Sequence, residues 1–392
     1  MNRRRRLGLL AVVLVSGAVA GLLIGAASAR EHDPPGDEAS WTTVFESTLG
    51  IEGLTADEQN NLYVAARGGG NPCPVYRVPV AGGGATIVGF LPTPCAPSGL
   101  TFGDDGRLYV TGLGAQDQIG VLTPDETSKP TATVFATGVP GANGVAFDRR
   151  ANLWTGDGTT GLGRVWRIPP EGGAGVEVFR VQPMANDVSG GVGRDVRSLP
   201  PGTINPATRQ ATNTMGSQPL VANGVAFTED GKLLVADTAR GAVWEVQLDR
   251  DGKVASPVNS DTTFTADTLC LDNVFVQHPY LEGVDGIALD RAGTIFAAAN
   301  ERNAIVVVDR QGRVREFFRN PPVAQLRNEG PLEFPTSPLL VGRTLCVTQS
   351  DGNRRDNVPN SGGKVGPGHP AVAKISCLDE PLRVPGLPLP VH

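Results

Sequence analysis

Six places in the chain carry a polar residue at the head of an apolar stretch: Glu52, Ser98, Asn143, Asn223, Asp285 and Ser337. The first five are each followed by glycine. Every one of these side chains offers oxygen, as carboxylate, carboxamide or hydroxyl. Brought together, they would form the oxygen-rich cage that hard cations such as Ca²⁺ favour, with water completing the shell. Histidine and cysteine are missing from the six, which makes zinc the poorer match. Asn-Gly and Asp-Gly are also ordinary turn dipeptides, so each position taken singly reads more readily as a turn former than as a ligand. The reading as a site rests on recurrence: two carboxylates at equivalent, facing positions need something positive between them.

A repeat is what would bring them together. Glu52-Gly-Leu-Thr-Ala-Asp-Glu-Gln-Asn-Asn-Leu-Tyr-Val is answered by Ser98-Gly-Leu-Thr-Phe-Gly-Asp-Asp-Gly-Arg-Leu-Tyr-Val. Asn143-Gly-Val-Ala-Phe, Asn223-Gly-Val-Ala-Phe and Asp285-Gly-Ile-Ala-Leu open three more copies, and a degenerate sixth begins at Ser337-Pro-Leu-Leu-Val. Each copy is an apolar strand, a polar turn and a second apolar strand, with two further strands behind it. Four strands per unit of roughly 45 residues predict an all-β, six-bladed β-propeller. The sixth copy has strands at 338–341, 344–348 and 371–377 but no fourth. The orphan strand Trp41-Thr-Thr-Val-Phe-Glu is expected to supply it, clasping the ring and covering an edge.

Inner strands of a propeller line a central channel, so the six heads should meet at its mouth. The heads are spaced 46, 45, 80, 62 and 52 residues apart, which leaves insertions near 181–220 and 255–282. Both are expected between the outer strand of one blade and the inner strand of the next, over the mouth. They read as functional loops or as plain surface insertions. Asn186 and Asp187 on the first are candidates to reach the mouth.

Composition agrees with this architecture. Gly 51 and Pro 32 in 392 residues exclude a coiled coil or helical bundle, and 40% hydrophobic residues exclude a disordered chain. Arg3 to Arg6, the uncharged run Leu7 to Ala26 and Ala27-Ser-Ala29 form a signal peptide with a cleavage site. An uncleaved anchor is the alternative. The expected organisation is 1–29 signal peptide, 30–39 flexible segment, 40–380 propeller and 381–392 Pro-rich tail, with both ends mobile. The body would be secreted or on the exterior of the cell envelope. Residues 1–29 hold four Arg and no acid, so the formal charge goes from −6 to −10 on cleavage. An acidic chain without a basic run is a poor partner for nucleic acid or anionic membrane. A monomer acting on a small molecule is expected.

The cysteines are Cys73, Cys95, Cys270, Cys346 and Cys377. In an oxidising compartment the expected disulfides are Cys73–Cys95, in adjacent Pro-rich loops, and Cys346–Cys377, in neighbouring strands, with Cys270 left over. No C-x-x-C spacing suggests a metal site. Trp154, Trp166 and Trp244 read as inter-blade packing, and Trp41 as part of the clasp.

Over residues 40–380 the sequence resembles the SMP-30/gluconolactonase/luciferin-regenerating-enzyme family. The resemblance rests on Glu52-Gly, on Ala222-Asn-Gly-Val-Ala-Phe with Leu-Val-Ala-Asp237 behind it, and on Val284-Asp-Gly-Ile-Ala-Leu-Asp290. It implies one divalent metal held by Glu52, Asn223 and Asp285, with Ca²⁺ favoured and Zn²⁺ or Mn²⁺ as alternatives. It implies hydrolysis of a lactone or related ester, with Asn143 contacting substrate or the metal's water and Asp285 as general base. Ser98, Asn143 and Ser337 would be further channel contacts. Two departures matter. Sugar-lactonase members carry Arg two residues before the third-blade Asn, where this chain has Gly141, and Asp after it, where this chain has Gly144.

The rival reading is a non-catalytic exported propeller of the NHL-repeat kind, its metal structural. A lyase using a channel histidine is disfavoured, because His32, His278, His369 and His392 head no inner strand.

Overall fold

The computed structural model describes residues 39–181, 222–256, 258–259, 266–281, 283–320, 330–350 and 372–390. The signal segment, Asn186 and Asp187 lie outside the described residues, as does most of the first insertion.

Gly, Asp and Asn turns divide the chain into short antiparallel strands, which assemble as six sheets of one repeated design. Blade three shows the pattern. Ala142–Phe147 pairs with Leu153–Asp157, that strand with Arg164–Ile168, and that with Val176–Arg180. In the turn between the first two strands, Asp148 accepts from the backbone of Asn152 at 2.9 Å and from Trp154 Nε1 at 2.9 Å. A short polar side chain thus satisfies the turn while anchoring a core aromatic. Blade four repeats the order with Ala222–Phe227, Leu233–Asp237, Ala242–Val246 and Val274–Gln277. Blade five uses Val284–Leu289, Ile295–Ala299, Ala304–Val308 and Val314–Arg319.

Closure is as the sequence predicts. Trp41–Ser47 is the outer strand of blade six, paired antiparallel with Ala373–Leu378, which pairs with Thr344–Gln349 and through it with Pro335–Val341. Cys346 and Cys377 face each other across the two middle strands and are disulfide-bonded. Trp41 packs on Phe318 of blade five with ring centroids 5.2 Å apart. Ile51, Leu54 and Leu62 of the first repeat share a core cluster with Leu339 and Val341 of the last, which completes the ring.

The core lies between blades. Trp154, Phe179, Val225, Phe227, Val235 and Trp244 pack together between blades three and four. Each such aromatic removes on the order of 200 Å² from water, so these seams carry much of the stability.

Two expectations are corrected. The second insertion does not join an outer strand to the next inner strand. It runs from Val246, the end of blade four's third strand, to Val274, the start of its outer strand. In a four-strand meander the turn after strand three lies at the end opposite the head of strand one, so this segment leaves the face away from the mouth. It then packs as a wedge. Asp267–Leu269 pairs parallel to the outer edge of blade three, Val258–Asn259 pairs with it, and Leu269 is buried beside Trp154 and Trp244. The described link from blade four to blade five on the mouth side is short, with a 3₁₀ turn at Pro279–Leu281.

The Pro-rich tail is the second correction: the part described is docked rather than mobile. Leu382 N donates to Arg343 O at 2.7 Å, Gly386 N to Gly342 O at 2.7 Å, and Leu387 N to Leu289 O at 2.9 Å. Residues Leu382 to Leu387 therefore cross between blades six and five.

Candidate functional site at the channel mouth

The polar heads reach the channel because each inner strand breaks its ladder there. Pairing register slips between Ala142 and Val145, between Ala222 and Val225, and between Val284 and Ile287. A bulge frees a residue from the pleat and re-aims it. Asn143, Asn223 and Asp285 sit inside these bulges.

The glycine that follows each head has a steric reason. A Cβ on Gly224 would lie 2.6 Å from Asp285 O, and one on Gly144 would lie 2.5 Å from Asn223 O. In blades one to five, adjacent inner strands pass backbone against backbone at this level, and glycine permits it. The same geometry fixes the order of the ring. Gly99 abuts Asn143, Gly144 abuts Asn223, Gly224 abuts Asp285, and Gly286 abuts Thr336.

This order corrects the sixth member. The ladder slips between Pro335 and Ser337, which makes Thr336 the structural equivalent of Asp285 and puts Ser337 at the glycine level. Ser337 still lines the channel, one step below the mouth. Thr336 Oγ1 donates to Glu52 O at 2.8 Å, and Thr348 Oγ1 donates to the same carbonyl at 2.5 Å, so blade six is hydrogen-bonded directly to the head of blade one.

Behind the ring stands a second set of residues that the repeat pattern had not singled out. Each contact spans fifteen positions. Arg67 Nη2 donates to Glu52 Oε2 at 2.9 Å, Asn223 Nδ2 to Thr238 Oγ1 at 3.3 Å, and Asn300 Nδ2 to Asp285 Oδ2 at 3.2 Å. In blade three the corresponding residue is Gly158, where a Cβ would collide with the Asn143 side chain. The signal available in sequence was this fixed offset, which in blades one, three, four and five places one residue just past the end of the second strand.

Ser98, Asn143, Asn223 and Asp285 are buried, and Glu52 keeps 15% of its side chain exposed. Around them the mouth-side turns of blades three and four use one structural device. The fully buried Asp157 pairs with Arg164 at 3.0 Å, and the fully buried Asp237 pairs with Arg240 at 3.3 Å. The guanidiniums lie over Trp166 and Trp244, at 4.8 Å and 5.5 Å from the ring centroids. Trp244 Nε1 also donates to Asp237 at 3.0 Å. These pairs stiffen the rim. His278 lies on the link to blade five, where burial and then the Arg302 charge hold its imidazole below the usual range.

Below the glycine level a cavity of ≈ 100 Å³ is lined by residues such as Val225, Phe227, Ile287 and Leu340. Leu387, Leu389 and Pro390 of the tail also line it. Among the described residues its walls are mainly apolar and carry no carboxylate.

Among the described residues no group of three or more His, Cys, Asp or Glu is placed to hold a metal. The ring's donor chemistry still fits one hard cation, because two carboxylates, two carboxamides and two hydroxyls contribute oxygen only. Glu52 and Asp285 supply charge, and the Asn223 carboxamide, having given its N–H to Thr238, keeps its carbonyl oxygen as an acceptor. Glu52 is already paired with the Arg67 guanidinium.

The predicted disulfide Cys73–Cys95 is present and tethers the loop carrying Arg67. Cys270 has a free thiol.

Fold and ring together define a six-bladed β-propeller with an oxygen-lined channel mouth. The later blades carry an SMP-30/Gluconolactonase/LRE-like region: the family model of that description matches residues 200–348, which bears out the resemblance read from the sequence. A curated relative, lactonase drp35 of Staphylococcus haemolyticus, is 22% identical over 79% of this chain and 81% of its own length. Among solved structures, a gluconolactonase of Xanthomonas campestris superposes with a TM-score of 0.52 at 16% identity, covering 88% of this chain and 91% of that one. The calcium-binding protein regucalcin of Agrobacterium tumefaciens gives a TM-score of 0.52 at 16% identity, over 88% and 97% of the two chains.

Proposed function

We propose that this protein is an exported, calcium-dependent hydrolase of lactones or closely related esters, working at the channel mouth. The observation that carries this reading is the set of converging bulges that turn Asn143, Asn223 and Asp285 into one polar ring with Glu52. The lactonase relative and the family match support the reaction class, and the calcium-binding neighbour supports the cation.

Glu52, Asn223 and Asp285 would hold the cation. Bound there, a divalent ion supplies polarisation of an ester carbonyl. The protein's own groups do the rest. Asn143 orients the lactone by hydrogen bonding to its oxygens. Asp285 accepts a proton from the attacking water, and Asn300 keeps that carboxylate aimed. Water adds to the acyl carbon, the ring C–O bond breaks, and the leaving alkoxide takes up the proton as the open-chain hydroxy acid departs. With Gly141 in the position of a sugar-binding Arg, the substrate is expected to lean less on polar contacts to ring hydroxyls.

Export is the reading of residues 1–29, and two disulfides suit an oxidising compartment. The chain is proposed to act as a monomer.

The test is substitution at the ring. Asp285→Ala and Glu52→Gln should each reduce lactone hydrolysis by at least about 100-fold, the scale of losing a positioned proton acceptor, while the fold persists by circular dichroism. Near-wild-type turnover in both would remove the site from the ring.

A further inference from the structure

The Glu52 carboxylate is compensated by the protein itself. At the fifteen-residue offset, blade four offers Thr238, blade five Asn300 and blade three Gly158, all neutral; blade one offers Arg67. Its guanidinium sits 2.9 Å from Glu52 Oε2.

The backbone beneath this contact is fixed. Arg67 N donates to Gly50 O at 2.9 Å, and Asn71 N to Gly68 O at 3.1 Å. Gly68 N points at Cys73 Sγ at 3.2 Å, and Cys73 is bonded to Cys95. The side chain above is different. Arg67 remains 52% exposed while Glu52 is 15% exposed. A long arm on a pinned base can leave its partner for water at little desolvation cost, whereas Glu52 cannot follow it. Arginine stays charged at any working pH, so the pair persists until another cation competes for the carboxylate.

We propose that Arg67 is the resident counter-cation of Glu52 and sets the metal affinity of the ring. With no metal bound, Arg67 compensates the Glu52 carboxylate. For Glu52 to give both carboxylate oxygens to a metal, the guanidinium must swing off Oε2 towards solvent. Calcium affinity is therefore lowered by the free energy of the Arg67–Glu52 pair. This inference rests on the proposal that the ring binds calcium.

The experiment is calorimetric titration of the full chain with Ca²⁺ alone, in wild type, Arg67→Ala, Arg67→Lys and Asp285→Asn. Arg67→Ala should bind calcium roughly fivefold more tightly, the upper worth of a half-exposed ion pair. Arg67→Lys, which restores the charge, should return most of the way to wild type. In chelator Arg67→Ala should melt below wild type, and saturating calcium should close that gap. Unchanged or weaker calcium binding in Arg67→Ala, with binding lost in Asp285→Asn, overturns the role of Arg67 and leaves the metal reading standing. An absence of binding heat in every variant overturns both.

Discussion

Asn300 Nδ2 donates to Asp285 Oδ2 at 3.2 Å, from the turn that ends blade five's second strand. The same offset links Asn223 to Thr238 and Glu52 to Arg67. Ring residues are thus held from behind by a layer that belongs to their own blade. A carboxylate held in this way has a fixed aim, which proton transfer requires.

Asn300→Ala removes that support without touching the ring. The expected result is a fall in kcat of about tenfold or more with KM little changed, because Asp285 keeps its charge and loses its orientation. Asn300→Ser should recover part of the rate. Equal kinetics in wild type and Asn300→Ala would show that Asp285 is positioned by other contacts.

Gly224→Ala probes the close approach of inner strands. The new Cβ would lie 2.6 Å from Asp285 O and 2.8 Å from Gly286 Cα, both backbone atoms that cannot give way cheaply. Destabilisation of about 1–3 kcal/mol is expected from overpacking. Denaturant unfolding measures it, and Gly231→Ala is the control: its Cβ would meet nothing within 4 Å, although its positive φ carries a modest backbone cost.

The clasp disulfide closes a loop of sequence separation 31. Replacing Cys346 and Cys377 together by alanine should lower stability by about 3.7 kcal/mol on a chain-entropy account. A melting temperature equal to wild type under non-reducing conditions would contradict this.

His278 titrates below the usual histidine range because burial, and next the Arg302 charge, disfavour the imidazolium. Its folded pKa lies below the unfolded value. Its contribution to stability is therefore full above the unfolded pKa and is lost as pH falls through the folded one. The imidazole is only partly buried, so the effect on stability is small. A proton NMR titration should give a midpoint below 6.5 in wild type, moving upward in Arg302→Gln.

The sequence made the blades legible because each is a local meander with its own period-2 patterning and turn residues. Even the long-range clasp could be read, since blade six lacked an outer strand and Trp41-Thr-Thr-Val-Phe-Glu had no other partner. The sixth head was assigned one residue late, to Ser337 instead of Thr336. Ser337 stands where the other copies have glycine, and a bulge shifts side chains without altering the apolar run by which copies are aligned. The second insertion was assigned to the wrong face because Val274–Gln277 is a four-residue strand behind a long irregular segment, and periodicity that short is not distinctive. The docked tail could not be foreseen from its proline content, since its backbone hydrogen bonds depend on turns of blades five and six that meet it only in the folded ring. Arg67 lay outside the repeated head motif, so only the fifteen-residue contact brought it to notice.

The most direct measurement is hydrolysis of a panel of aliphatic lactones, aldonolactones and aryl esters by the chain after chelation and again after Ca²⁺ is restored. The account predicts lactone turnover that is lost with chelator and regained with calcium, with aliphatic lactones preferred over aldonolactones. No turnover in either state, with calcium raising only the melting temperature, would contradict it and make the ring a structural ion site in a binding propeller.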